Sequence, residues 1–226
     1  KAEYEMVKRG HRKAATAHVT NRSFEKFYEQ VQTDGLVYLP ITRTKAYSGF
    51  SHKHYPTDAD DPNSSVYGVL ACDMTAATMF RDASRNGRTD HRIIGDLLGF
   101  PKCCTDFFVE VWAQGFYDPL WQAAERTDGV QYKTPNHAVV RGAVFCTQIL
   151  RYIGARITSH LPCSFRCERS IEIGRKWWEV MLAIDREAAL ALLRILSLPV
   201  NWSVLHGVAV AETMPFTIWT NSMPTK

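Results

Sequence analysis

A change of hydrophobic period along the chain sets the limits on its fold. Between Asp73 and Leu198 apolar residues recur every three or four positions, as on one face of a helix. Before and after that stretch they gather in short blocks rich in Val, Ile and Leu. A chain laid out in this way builds a helical body and draws its strands from the two ends.

The spacing predicts a helix up to about residue 32, capped by Asn21 or Ser23, then others over 75–85 and 90–98. Gly99-Phe-Pro101 ends the last of these, and its proline suits the opening turn of the next, which carries Phe107, Phe108, Val111 and Trp112. Further helices are predicted over 118–126, from Pro135-Asn136 to Ile153, from Arg166 or Cys167 to Ile184, and over 188–196 behind an Asp185 cap. Strands are predicted at 36–41 and 66–72, with two more between 200 and 220. The fold class is therefore α+β, a mainly helical body with a small sheet formed by N- and C-terminal strands.

Composition narrows the class further. The chain has 226 residues, 46% hydrophobic and 22% charged, enough for one packed domain over 1–226. Residues 1–20, around the run Lys8-Arg-Gly-His-Arg-Lys13, read as a basic, partly flexible segment. Aromatic content and a net charge of only +4 exclude intrinsic disorder. Six cysteines are too sparse for a disulfide scaffold, and no apolar run is long enough for a membrane helix. With no export signal at the start, the expected compartment is the reducing cytoplasm, where clustered thiols point to metal or redox chemistry.

Four of the six thiols are placed alike. Cys103 and Cys104 follow Pro101, and Cys163 and Cys167 follow Pro162, each pair at the opening of a predicted helix. Unpaired backbone N–H groups and the positive end of the helix dipole favour thiolate there. Lys102, Arg166 and Arg169 add positive charge at the same ends. Four thiolates are able to bind zinc or an iron–sulfur cluster. Neighbouring side chains on a helix diverge by about 100°, which makes Cys103-Cys104 awkward for one zinc and easier for the spread corners of a 4Fe-4S cluster. The cluster is the leading expectation and zinc the alternative. Cys146 and Cys72 read as core.

These residues also carry a resemblance. Gly99-Phe-Pro-Lys-Cys-Cys104, His160-Leu-Pro-Cys-Ser-Phe-Arg-Cys167 and Trp202-Ser-Val-Leu-His-Gly207 resemble the GxPxCC, HxPCSxxC and WSxLHG segments of a prokaryotic family of unknown function. The resemblance covers roughly residues 90 to 215 and implies that the three segments share one site. It implies no activity.

Around the thiols, His160 and His206 are candidate proton carriers, and Arg141 and Arg166 candidates for holding an anionic substrate. His52 and His54 sit in a polar loop; His137 and Asp90 read as first-turn residues of helices. No GxGxxG, Walker loop, HExxH or GxSxG is present, and Ser170 stands where a radical-SAM motif needs its third cysteine.

Three functions stay open. The first is an iron–sulfur enzyme acting on a small molecule by desulfuration, sulfur transfer or dehydration, with an open iron. The second is a zinc-stabilised module that binds nucleic acid or protein, with Lys8–Lys13, Arg22 and Lys26 as phosphate contacts. The third is a cysteine nucleophile, Cys163 or Cys167, with His160 as base.

Overall fold

A computed structural model describes residues 1–45, 61, 64–85, 89–114, 119–151, 154–203, 208–211 and 217–219. The chain is α+β and mainly helical, with eight α-helices among the described residues. The sequence reading treats 1–226 as one domain; by packing the chain resolves into two compact units, Lys1–Gly99 and Phe100–Lys226.

The first unit runs α1 (Ala2–Lys8), β1 (Ala14–Thr20), a 3-10 turn, α2 (Phe24–Thr33), β2 (Val37–Lys45), β3 (Ser64–Ala71), α3 (Met74–Ala83) and α4 (His91–Leu97). β3 lies between β1 and β2 and pairs antiparallel with both, so β1 and β2 run parallel on either side of it. Both faces of this sheet are covered. Val66 and Leu70 of β3 pack with Ala15, Val19, Tyr38, Val7 of α1 and Val31 of α2. Val69 and Ala71 face the other way, onto Ala76, Ala77 and Phe80 of α3 and Leu97 of α4. The strand period of two thus serves two cores, which is why β3 reads as an almost continuous apolar run. Gly68 marks a close approach, because a Cβ there would lie 2.6 Å from the Tyr38 ring.

Residues 1–20 are not a flexible basic tail. They form α1 and β1, with Met6, Val7, Ala14 and Ala15 buried. The basic run is partnered: Lys8 with Asp34 at 2.9 Å, Arg9 with Glu5 at 3.3 Å and Lys13 with Asp96 at 3.0 Å. Arg12 is 5% exposed and donates from Nε to the Ala14 carbonyl. Seven residues carry too few periods for α1 to show in the sequence, and charges with partners look the same there as charges in water.

The second unit contains α5 (Lys102–Val111), α6 (Pro119–Glu125), β4 (Gln131–Thr134), β5 (His137–Val140), α7 (Glu168–Ile184), α8 (Arg186–Leu196), β6 (Val200–Ser203), β7 (Val208–Ala211) and β8 (Thr217–Trp219). The five strands form an antiparallel sheet in chain order. N- and C-terminal strands therefore belong to two sheets, not one. The C-terminal strands find their neighbour in β5, inside a segment that reads as helix.

That reading is the main error. The helix predicted from Pro135 to Ile153 is absent from the described part of this stretch. Pro135-Asn136 instead joins β4 to β5 as a hairpin turn, with Thr134 opposite His137. Proline followed by asparagine starts a turn as readily as a helix, and Val139 and Val140 favour the strand that β6 completes. Beyond β5, Gly142 passes so close to Phe165 that a Cβ would meet the Phe165 Cβ at 2.9 Å. From there to Cys167 the described chain contains no α-helix and no strand. It is nonetheless buried at Cys146, Ile149, Leu150, Ile157, Leu161 and Phe165.

At α2 the expected cap is not made: Ser23 holds the N-cap position, but its hydroxyl bonds Thr20 instead of the helix, whereas aspartates cap three other helices. Asp90 accepts from the Arg92 and Ile93 N–H groups, Asp73 from Ala76 and Asp185 from Ala188. Trp177 is buried, and Trp178 meets Phe145 edge to face. Glu172 and Lys176 form the expected i,i+4 pair at 3.8 Å. No helix among the described residues is long and apolar enough to cross a membrane.

Candidate metal centre

α5 begins at Pro101, whose carbonyl accepts from the N–H groups of Cys104 and Thr105. The proline fixes the entry, and Cys103 and Cys104 follow in the first turn. α7 begins at Cys167, which occupies the N-cap position without capping its own helix through its side chain. Between Pro162 and Cys167 the chain makes a tight turn, with Cys167 N–H on the Ser164 carbonyl and Arg166 N–H on Ser164 Oγ. That turn presents Cys163 and Cys167 together.

The two pairs converge. Cys103, Cys104, Cys163 and Cys167 place their sulfurs within 4.8 Å of one another. The separations are 3.9 Å for Cys103–Cys104, 3.8 Å for Cys103–Cys167 and 3.7 Å for Cys104–Cys167. Adjacent cysteines are thus no obstacle to a shared ion, despite their divergence around the helix. Cys104 is 1% exposed; the other three are half-buried. All four are free thiols. This group is able to hold a metal ion.

The electrostatics differ from the sequence expectation that a helix start lowers every thiol. Cys163 alone of the shifted sulfurs moves down, to about 6, because Cys104 and then Cys167 and Cys103 donate to it. Cys103 moves up to about 11, chiefly by burial and then by the charge of Cys163 and Cys167. Cys104 moves up as well, through its hydrogen bond to Cys163 and through burial. At Cys103 and Cys104 burial and sulfur neighbours outweigh the helix dipole. A cation among the sulfurs inverts this order, since a coordinating thiol is deprotonated outright.

The other predicted residues fall in several places. His160 is 3% exposed, with Nε2 2.8 Å from Ser170 Oγ and its ring 5.1 Å from that of Phe100. Arg166 is exposed and directs Nε to the Arg141 carbonyl at 3.3 Å; Arg141 is exposed too. His206, His52 and His54 lie outside the described residues. His137 opens β5, so it is not the first-turn helix residue the sequence suggested. Cys146 is core as expected, though on an irregular stretch, and donates to the Phe165 carbonyl at 3.0 Å. Cys72 is exposed at the end of β3 rather than core, with its thiol 3.4 Å from Asp73.

One residue of the site was missed. Ser170 is fully buried, with Oγ 3.1 Å from Cys104 Sγ. Its position three residues after Cys167, on the same helical face, was the available signal.

No protein-family model matches the chain, and no curated protein or solved structure is similar to it, so the resemblance carried by the three sequence segments rests on those residues alone.

Proposed function

We propose that the second unit is a zinc-stabilised fold organised by a closed, structural tetrathiolate centre formed by Cys103, Cys104, Cys163 and Cys167. The observation that carries this reading is the sulfur spacing. A tetrahedral ion with metal–sulfur bonds of about 2.3 Å separates its sulfurs by about 3.8 Å. Three measured separations are 3.7, 3.8 and 3.9 Å. In a 4Fe-4S cluster each thiolate binds a different iron, so an iron–iron edge is added to every sulfur–sulfur path. Sulfurs all within 4.8 Å favour one ion over that cube.

Four protein thiolates complete a tetrahedral sphere and leave no position for a substrate, which is the mark of structural rather than catalytic zinc. The centre joins the first turn of α5, the Cys163 turn and the start of α7. Those parts flank the buried irregular stretch, where few backbone ladders are available to fix the chain. When bound, the ion supplies positive charge and a rigid cross-link; the residues supply position and exclusion of water. A single iron in the same four sulfurs is the second reading, favoured by the same spacing, since tetrahedral four-sulfur sites take either metal.

Purification without oxygen followed by metal analysis and a visible spectrum tests the proposal. Colourless protein with one zinc per chain supports it, and Cys104→Ser lowers the zinc content. Coloured protein with one iron and no inorganic sulfide selects the second reading. Brown protein with inorganic sulfide overturns both in favour of a cluster, and metal-free protein overturns the centre.

A further inference from the structure

We propose that Ser170 and His160 form a hydrogen-bond relay that positions the Cys104 thiolate as a metal ligand, an inference that rests on the single-ion reading above. Ser170 Oγ stands 3.1 Å from Cys104 Sγ and 2.8 Å from His160 Nε2. Both residues are buried, at 0% and 3% exposure. A serine hydroxyl has one proton to donate, and a thiolate accepts without donating. When Cys104 binds metal, Ser170 Oγ–H donates its hydrogen bond to the sulfur. The Ser170 oxygen then accepts from His160, so Nε2 is the nitrogen that carries hydrogen. Charge on the sulfur thereby fixes the tautomer of a histidine that does not touch it.

Cys104 is the ligand with most need of such support. It is the most buried of the four, at 1% exposure, and water cannot relieve its charge. The Cys163 N–H, 3.4 Å away, is its second donor. The Phe100 ring, 5.1 Å from the imidazole, helps set the ring orientation. Ser170 and His160 act through the sulfur and are positioning residues, not ligands. Partners of this kind typically change metal affinity by about 10- to 100-fold.

Cobalt(II) loaded into the full chain reads the relay directly through its sulfur-to-metal charge-transfer band, with affinity measured by zinc competition. Ser170→Ala is expected to move the band to lower energy, because a sulfur without its hydrogen bond gives up electron density more readily. The same change is expected to weaken binding by about 10- to 100-fold. His160→Gln keeps an N–H donor and is expected to hold the band near its original position, whereas His160→Leu shifts it. A folded Ser170→Ala protein with unchanged band and affinity overturns the relay and leaves the centre standing. Should Ser170→Ala fail to fold, the two His160 variants decide: identical bands overturn the relay, and different bands support it. Wild-type protein with no thiolate–cobalt band overturns the metal reading and the relay with it.

Discussion

In Lys1–Gly99 the central strand β3 is buried along nearly its whole length, with α1 and α2 on one face and α3 and α4 on the other. Around the thiols of Phe100–Lys226 the chain between β5 and α7 is buried at many of its positions, yet no α-helix or strand is described within it. The first unit satisfies its backbone with ladders and fills two apolar cores. The second surrounds its irregular stretch with polar partners. Gln148 Nε2 donates to the Thr158 carbonyl, Phe165 N–H to Thr127 Oγ1, and Cys146 to Phe165. Hydrocarbon packing is enough where regular elements present flat faces. Where the backbone turns irregularly inside a core, fixed cross-links must replace ladders.

The comparison predicts that the units fail separately. If the second unit holds zinc as proposed, chelation is expected to remove on the order of 10 kcal/mol of coupled binding and folding free energy from it, and Cys104→Ser a part of that. Hydrogen exchange is expected to show 100–226 losing protection while the amides of β1, β2 and β3 keep theirs. Equal loss in both units would break the comparison. The mirror experiment is Leu70→Ala, which empties part of the α1–α2 core and is expected to cost about 2 to 5 kcal/mol. Denaturation followed by zinc retention checks it: the first unit unfolds earlier and the metal stays bound.

A smaller effect sharpens the contrast by being the same on both sides. Asp73 caps α3 and Asp185 caps α8, each by accepting one N–H group from the first turn. Replacing either by Ala is expected to cost about 1 kcal/mol, read by thermal melting, with zinc content unchanged in both variants. Caps act locally, so neither type of core alters their worth.

The smallest predicted effect concerns acid. Asp34 is held down at about 2 from an ordinary 3.8, first by the Tyr4 hydroxyl and then by Lys8 and Gln30. Its folded value is depressed, so the stability it contributes is present above the ordinary value and is lost as pH falls from about 4 towards 2. An acid titration of first-unit unfolding is expected to flatten in that window in Asp34→Asn. A titration identical to wild type would remove Asp34 from the account.

Much of the fold was legible because it depends on neighbours in sequence. The period of Ile94, Leu97 and Leu98, the caps at Asp90 and Asp185, and the proline that opens α5 are all local signals, although Ile93, expected on the same face, is exposed. The turn at Pro135-Asn136 was misread because strand and helix compete there on equal local terms, and β6, sixty residues away in sequence, decides. α1 was missed because its seven residues are too short to show a period. At the site, all four thiols were legible from residue type and from the prolines before them. Ser170 was not, since a serine declares a role only through what lies next to it.

The sequence by itself determined which residues carry sulfur, that Cys103 and Cys104 follow the proline opening α5, and that α7 starts at Cys167, since proline geometry and helix ends are written within a few positions. Only the tertiary structure decided how far apart the sulfurs stand. The single-ion proposal rests on that distance, which is set by α5, the Cys163 turn and α7 coming together across some sixty residues of chain. Spacing along a chain fixes no distance through space once the intervening backbone is irregular.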